Sequence, residues 1–384
     1  MLYLIIFILL LYLVLKYDII GIEKNKNISY YIALFVLILI AGLRYKVGGD
    51  TLTYFEDFIN TPYLYQLFSF DFEEHSFEPF WIIFQSICKS LINDFAFFQL
   101  IHAIFVNTII FWFIKKNTAY YFTAIFLYFC WPFFYFNMEI MRESIAIALF
   151  LIGYDSFKNK KWITFYSIAT ISFLFHSSAL VLFLFPFLKA LRFNFFGFLL
   201  IALTITLSSY YKNLIEVGFF FTRISSKLIS YLDTEGLNIN GIIIGFLLNI
   251  CLPIFFIWFH QKFILKYQKF KDLFFAFIFL SFLSLIIQGS YRFLNYFTVF
   301  VIIFLADFLM GILKKKKESI LIRIVFVSFF GSLIVIPKIH DLTLDTSKYS
   351  AKTRKYNKWY PYSSIIYKEE YYYRSSIYEG SMGY

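Results

Sequence analysis

Clusters of lysine cut this chain into apolar runs. Beginning with "LYLIIFILLLYLVLK" near the N-terminus, hydrophobic stretches recur along most of the 384 residues and end at charge. Many approach the roughly 20 residues that a helix needs to cross a bilayer. Within lipid a backbone must satisfy its own N–H and C=O groups, so only helices and closed barrels can span. The runs lack the strict alternation of a barrel strand. With 60% hydrophobic and 15% charged residues and a mean hydropathy of +0.71, the expectation is an all-α, polytopic transmembrane helical bundle. The N-terminal run has no basic segment before it and no small-residue cleavage site after it, so it reads as a retained first span. Cys88, Cys130 and Cys251 lie far apart with no C-x-x-C pair, suggesting neither a disulfide framework nor a zinc site.

Short basic loops face the cytoplasm. The basic clusters are Lys16, Lys24 and Lys26; Lys115 and Lys116; Lys158, Lys160 and Lys161; Lys189 and Arg192; Lys262, Lys266, Lys269 and Lys271; and Lys314 through Lys317. All six fall inside if spans run near 1–15, 28–43, 96–114, 119–135, 138–156, 162–177, 178–191, 195–210, 241–260, 272–288, 292–312 and 319–336. That is about 12 spans, with the N-terminus outside. The stretch 79–92 must then not cross. It is short, carries Gln85 and Lys89, and reads as a helix in the outer interface or one that re-enters partway. The organisation expected is a transmembrane domain over 1–336, outer loops at 44–95 and 210–240, and an outer basic, tyrosine-rich tail over 337–384. The net charge of +11 points to anionic lipid headgroups rather than nucleic acid.

This topology places arginines on the side where the charge rule disfavours them. Arg44 ends an apolar run in "AGLRYKVGGDTLTYF", and can either snorkel to the membrane surface or hold an anion. Gly48 and Gly49 offer amides that an anion could approach closely, and Asp50 and Tyr54 lie one helical turn apart. In "NMEIMRESIAIALF", Asn137 is a candidate N-cap, and Glu139, Arg142 and Glu143 share one face if the helix starts there. Either a carboxylate neutralises Arg142, or Arg142 grips a phosphate. "FLFHSSALVLF" puts His176 at the outer end of a span, and "IIQGSYRFLNYF" puts Arg292 at the start of another. The acidic stretch "DFEEHSFEPFW", with Asp71, Glu73, Glu74, His75 and Glu78, reads first as a solvated loop and second as an oxygen-ligand cation site. No phosphate-cradling G-x-x-x-x-G-K-[ST] loop is present, so no ATP motor is built in.

Taken in order, "RYKVGGDTLTYF", "EPFW", "MRESIAIALFLIGY…KNKKW", "FLFHSSALVLFLFPF", "YRFLNYF" and "WYPYSS" resemble the EpsG family, one of the Wzy-type bacterial polysaccharide polymerases. The family often has glutamine after its central arginine; here the residue is Glu143. The resemblance implies a GT-C-like membrane glycosyltransferase of capsule, exopolysaccharide or O-antigen synthesis. Its substrates would be oligosaccharide repeat units on undecaprenyl pyrophosphate, joined at the outer face of the bacterial cytoplasmic membrane. A flippase and a chain-length regulator of the same pathway would be its partners. A pyrophosphate leaving group asks for cations where charge develops, for which Arg44, Arg142 and Arg292 are the candidates. An attacking hydroxyl asks for a base, for which His176, Asp50 or Glu139 is suited. Gly48, Gly49, Tyr54, Glu78 and Glu143 would support them, with no metal and no cofactor. A flippase of lipid-linked sugars, a polysaccharide ligase and an O-acyltransferase remain alternatives.

Overall fold

In the computed structural model, every apolar run that falls within the described residues is helical. Those residues are 2–72, 77–188, 270–286, 288–314 and 359–369, with isolated positions between 246 and 332. The expected spans at 195–210, 241–260 and 319–336, the loop 210–240 and most of the tail lie outside them, apart from those isolated positions. Among the described residues there is no strand, only an isolated bridge between Arg44 and Ser364.

The chain forms two compact units, residues 1–177 with 305–384, and residues 178–304. In the first, α1 (Leu2–Leu13) runs on into a π-turn (Val14–Ile19) and is followed by α2 (Lys26–Gly42). Two short helices, α3 (Thr51–Asn60) and α4 (Pro79–Leu91), precede the long α5 (Phe95–Asn117). Then come α6 (Tyr121–Cys130), α7 (Phe133–Met138), α8 (Met141–Lys158) and α9 (Trp162–Phe175). The second unit holds α10 (Leu180–Leu188), α11 (Lys271–Ile286), a 3-10 segment (Gln288–Phe297) and the start of α12 (Thr298–Leu313). In it, Phe297 packs against Phe185 and Phe277, and Ser178 hydrogen-bonds Tyr296 at 3.0 Å.

Three helical stretches among the described residues are long and apolar enough to cross a membrane: Leu2–Ile19, Phe95–Asn117 and Ser290–Leu313. Shorter apolar helices stand at Lys26–Gly42, Tyr121–Cys130, Trp162–Phe175 and Ser177–Phe187. On α1, Tyr3, Ile6, Leu10 and Leu13 are buried while Leu4, Ile5, Ile8 and Leu11 are exposed. That is one stripe for the bundle and one apolar face that water would penalise and lipid would not.

The charges sort to opposite ends of the first unit. At the end of α5 that carries Lys115 and Lys116, Lys115 donates to Asn27 Oδ1 (3.1 Å) and Lys116 pairs with Asp155. There too Asp18 accepts from the Thr123 amide and hydroxyl (2.7 and 2.8 Å), which caps α6. The Lys314 ammonium lies 4.5 Å from the Tyr120 ring centroid. Arg44 belongs to the other end, where Gln99 in the first turns of α5 donates to its carbonyl (3.2 Å). A 23-residue helix is about 35 Å long, so the two chemistries are held a bilayer's thickness apart.

Between the ends, α5 carries polar groups on its buried side. His102 Nε2 reaches Met141 O (2.9 Å), and Asn107 Nδ2 donates to Asn137 Oδ1 (2.7 Å). Tyr128 OH donates to Asn107 Oδ1 (2.9 Å), and Asn137 Nδ2 reaches Tyr128 OH at 3.1 Å. Asn137, expected to cap a helix, is therefore fully buried inside α7, where a tertiary network uses its amide. Interhelical bonds in membrane proteins contribute about 0.6 kcal/mol each, up to roughly 1.7. Asn137→Leu should lower stability by about 1–2 kcal/mol, seen as a lower apparent melting temperature in detergent. An unchanged melting temperature would show that the network does not join α5, α6 and α7.

Candidate functional site

The end of the unit that holds the arginines is built around Arg44. α2 stops at Gly42 and leaves the carbonyls of its last turn without intrahelical donors. Arg44 turns back onto them. Its Nη1 donates to Ala41 O, its Nε donates to Val47 O (3.1 Å), and its Nη2 lies 3.2 Å from Met141 Sδ. The side chain is fully buried. Burial pulls its pKa down to about 10, partly offset by Tyr362, Tyr3 and Glu139, so it stays charged at neutral pH. Arg44, expected to hold a substrate anion, binds its own turn.

The two glycines that follow meet an anion of the chain itself. Gly48 has φ +117°, and a Cβ there would stand 2.5 Å from Met138 O. A Cβ on Gly49 would stand 2.5 Å from Glu139 Oε2, and its amide donates to Glu139 Oε1 at 2.7 Å. Trp359 Nε1 donates to the same oxygen at 2.9 Å. Trp359 opens "WYPYSS", which continues as a strap over the Arg44 loop. Tyr362 OH donates to Ile40 O (3.2 Å), Tyr45 N to Ser363 O (2.9 Å) and Ile365 N to Leu43 O (2.9 Å). This part of the expected tail is packed into the first unit.

The shared helical face for Glu139, Arg142 and Glu143 does not form. α7 ends at Met138, Glu139 and Ile140 are non-helical, and α8 starts at Met141. Glu139 turns to Gly49 and Trp359. Glu143 is buried in the first turn of α8. Arg142 pairs instead with Glu78, and its guanidinium lies 4.0 Å from the Phe77 ring centroid. Its Nε has no hydrogen-bond partner among the described residues.

Local sequence explains why Glu78 is there. A residue before proline is pushed out of the helical region, and proline suits the first helical position. Glu78 is accordingly extended (φ −72°, ψ 148°) and Pro79 opens α4. The carboxylate projects past the helix start to Arg142, while its Oε1 accepts from Ser177 N at 3.2 Å. Ser177 follows His176, which ends α9 in an extended conformation and is buried. Glu78 thus brings the Arg142 and His176 segments together. Tyr54 interacts with Arg142 and donates its hydroxyl to Glu139 O (3.1 Å). Asp50 is exposed ahead of α3. Arg292 lies in the 3-10 segment of the second unit. Glu73, Glu74 and His75 lie outside the described residues.

Behind this pair stands a group that sequence reading passed over. Asp57 is buried and accepts from Trp81 Nε1 at 3.1 Å. Burial pushes its pKa from 3.8 up to about 6, against the pull of Trp81, Gln85 and Arg142. Lys89 donates to three carbonyls at the end of α3, those of Phe58 (3.1 Å), Ile59 (2.7 Å) and Thr61 (2.7 Å). His102 and Trp359 were also missed. His102 interrupts an apolar helix three residues after Gln99, a signal that was available; Trp359 could be placed only by a contact distant in sequence.

The profile of the EpsG family matches residues 27–364. No curated protein and no solved structure matches the chain.

The Asp57 carboxyl binds its proton more tightly folded than unfolded. Its contribution is therefore most favourable below pH 3.8 and declines as the pH rises to about 6. Asp57→Asn should match the parent's stability near pH 4 and exceed it at pH 7 by up to about 3 kcal/mol. Melting curves of both proteins across this range test it. A pH-independent difference would place Asp57 in a polar, solvated setting.

Proposed function

The chain belongs to the EpsG family, whose known kind is the Wzy-type polymerase, and on that premise we propose that it polymerises a surface polysaccharide. Its substrates are oligosaccharide repeats carried on undecaprenyl pyrophosphate, and it joins them at the outer face of the cytoplasmic membrane. The proposed fold is a bundle of about 12 spans in a GT-C-like arrangement, with the arginine end outward and the lysine end inward. Coupling to a flippase and a chain-length regulator follows from the same reading.

The observation that carries this reading is Arg142. It stands at the end opposite the lysine clusters, is oriented by Glu78 and flanked by Tyr54, and carries a buried Nε with no hydrogen-bond partner among the described residues. As the glycosidic bond to phosphate breaks, negative charge grows on the leaving pyrophosphate. A preorganised guanidinium stabilises that charge without reorganising. Arg44, whose donors serve carbonyls of its own turn, acts here as the framework of the site. Arg292 retains its proposed role as a second phosphate ligand.

An attacking sugar hydroxyl must also lose a proton. Glu139 Oε1 already accepts two hydrogen bonds, from the Gly49 amide and the Trp359 indole, and is committed to them. Asp50 is exposed, and a solvated carboxylate is a weak base at neutral pH. His176, buried next to the segment that Glu78 holds, is the proposed base.

Cells lacking the gene should accumulate single lipid-linked repeat units on the outer leaflet and make no long polymer. Arg142→Lys at normal protein level should cut polymer formation at least about tenfold, because an ammonium cannot reproduce a planar, multi-donor grip. Parent-level polymer from Arg142→Ala would remove Arg142 from the mechanism. Units retained on the inner leaflet would indicate a flippase.

His176→Asn should abolish turnover while leaving binding of lipid-linked substrate nearly intact. For the parent, activity should fall on acidification as the base is protonated. An active Asn variant with the parent's pH profile would exclude a role for His176 in proton transfer.

A further inference from the structure

We propose that the cleft between the Arg44 loop, the starts of α3 and α5, and the C-terminal strap binds an anionic saccharide. This rests on the polymerase reading and names a second site, distinct from the Arg142–Glu78 cluster. The cleft has a volume of ≈ 550 Å³, within the range of small-ligand sites (about 300–1,000 Å³). It lies on the other side of α3. Thr51, Leu52 and Phe55 line it, whereas Tyr54 and Asp57 face Arg142 and Trp81.

Its walls combine three chemistries that a charged sugar needs together. Phe55 and Phe95, edge to face at 5.4 Å, form an aromatic wall suited to the apolar face of a pyranose ring. Lys46, from the loop, and Lys368, from the strap, each place an ammonium 5.5 Å from the Tyr45 ring centroid. With Arg44 beneath them and Asp94 as the acidic group of the lining, the cleft is net positive. Asp94 is committed to helix capping, its Oδ1 accepting from Ala96 N at 2.6 Å.

The third element is Gln99, 2% exposed and part of the lining. Its Nε2 donates to Arg44 O (3.2 Å). That fixes the amide's orientation and leaves Oε1 without a hydrogen-bond partner among the described residues. A buried acceptor without a donor is costly, and a ligand hydroxyl would relieve it. This acceptor separates two anionic ligands. The diester pyrophosphate of a lipid-linked sugar presents only acceptor oxygens at neutral pH and would be repelled by Gln99 Oε1. An acidic sugar presents hydroxyls to Gln99, a carboxylate to the lysines and a ring face to the aromatics. Because Lys368 arrives on the strap, the site is complete only with the strap docked.

The test is calorimetric titration of the full-length protein in detergent micelles with trigalacturonate, its C6-reduced neutral counterpart and inorganic pyrophosphate. Trigalacturonate should bind at least about tenfold tighter than the neutral trisaccharide, and the preference should shrink with salt. The double variant Lys46→Ala/Lys368→Ala changes two side chains that are not buried. It should lose that preference while melting like the parent, and Gln99→Leu should weaken both trisaccharides. Pyrophosphate binding should be unaffected by these changes. Absence of trigalacturonate binding, binding indifferent to the lysines, or a lysine requirement for pyrophosphate would overturn the proposal. These readouts need no turnover. A null titration alongside Arg142-dependent polymer growth removes the cleft alone, whereas lysine-dependent trigalacturonate binding in a protein whose deletion leaves polymer intact removes the polymerase reading.

Discussion

A buried guanidinium without a solvent shell must find acceptors or destabilise the fold. Arg44 finds one at the negative end of a helix macrodipole, the Ala41 carbonyl left over where α2 stops, and another in the loop, at Val47. Much of the arginine end of the first unit follows from that choice. Wrapping Arg44 onto Val47 sets the turn that Gly48 completes. The same turn aims the Gly49 amide at Glu139, and the Arg44 carbonyl anchors Gln99 of α5. The strap closes over the loop through Tyr45, Leu43 and Ile40. Removing the guanidinium would leave the Ala41 and Val47 carbonyls without this donor and loosen the loop that the other segments pack on.

With Arg44 occupied, the carboxylates divide their work. Glu139 lies beside a buried cation and accepts from an amide and an indole, an arrangement that holds it in place as structure. Glu78 meets Arg142, which is partly accessible and whose buried Nε has no hydrogen-bond partner among the described residues. The two arginines therefore differ in acceptor type. Fixed carbonyls enclose Arg44, while Arg142 is held on one side by a carboxylate that an incoming anion could rival.

Much of the fold was legible because apolar runs and helices share a cause. The starts of α2, α5 and α9, and the short helix at 79–91, fall within about three residues of the runs that suggested them. The break at Glu139–Ile140 was not legible. Neither glycine nor proline marks it, and at it Glu139 accepts from Gly49 and Trp359, contacts distant in sequence. Nor could periodicity predict the strap, whose partners lie more than 200 residues earlier in the chain. Arg44 and Arg142 looked alike in sequence, each an arginine at the edge of an apolar run. Only the neighbours that folding supplies tell them apart.

The α3–α4 pair shows how a segment too short to span can still be rigid enough to place the partner of a buried arginine. A 13-residue helix is about 20 Å long, well under the roughly 30 Å of a hydrocarbon core. Its rigidity comes from cross-links to α3 at both ends. Lys89 ties its last turn to three carbonyls, Gln85 accepts from Thr61 (2.7 Å), and Trp81 reaches Asp57 near its start. Those contacts fix the axis of α4, and Pro79 fixes the backbone at its first turn. Glu78 is therefore positioned before any substrate arrives. The seemingly unfavourable features of 79–91, a lysine and a glutamine in an apolar helix, are what hold the Arg142 partner in register.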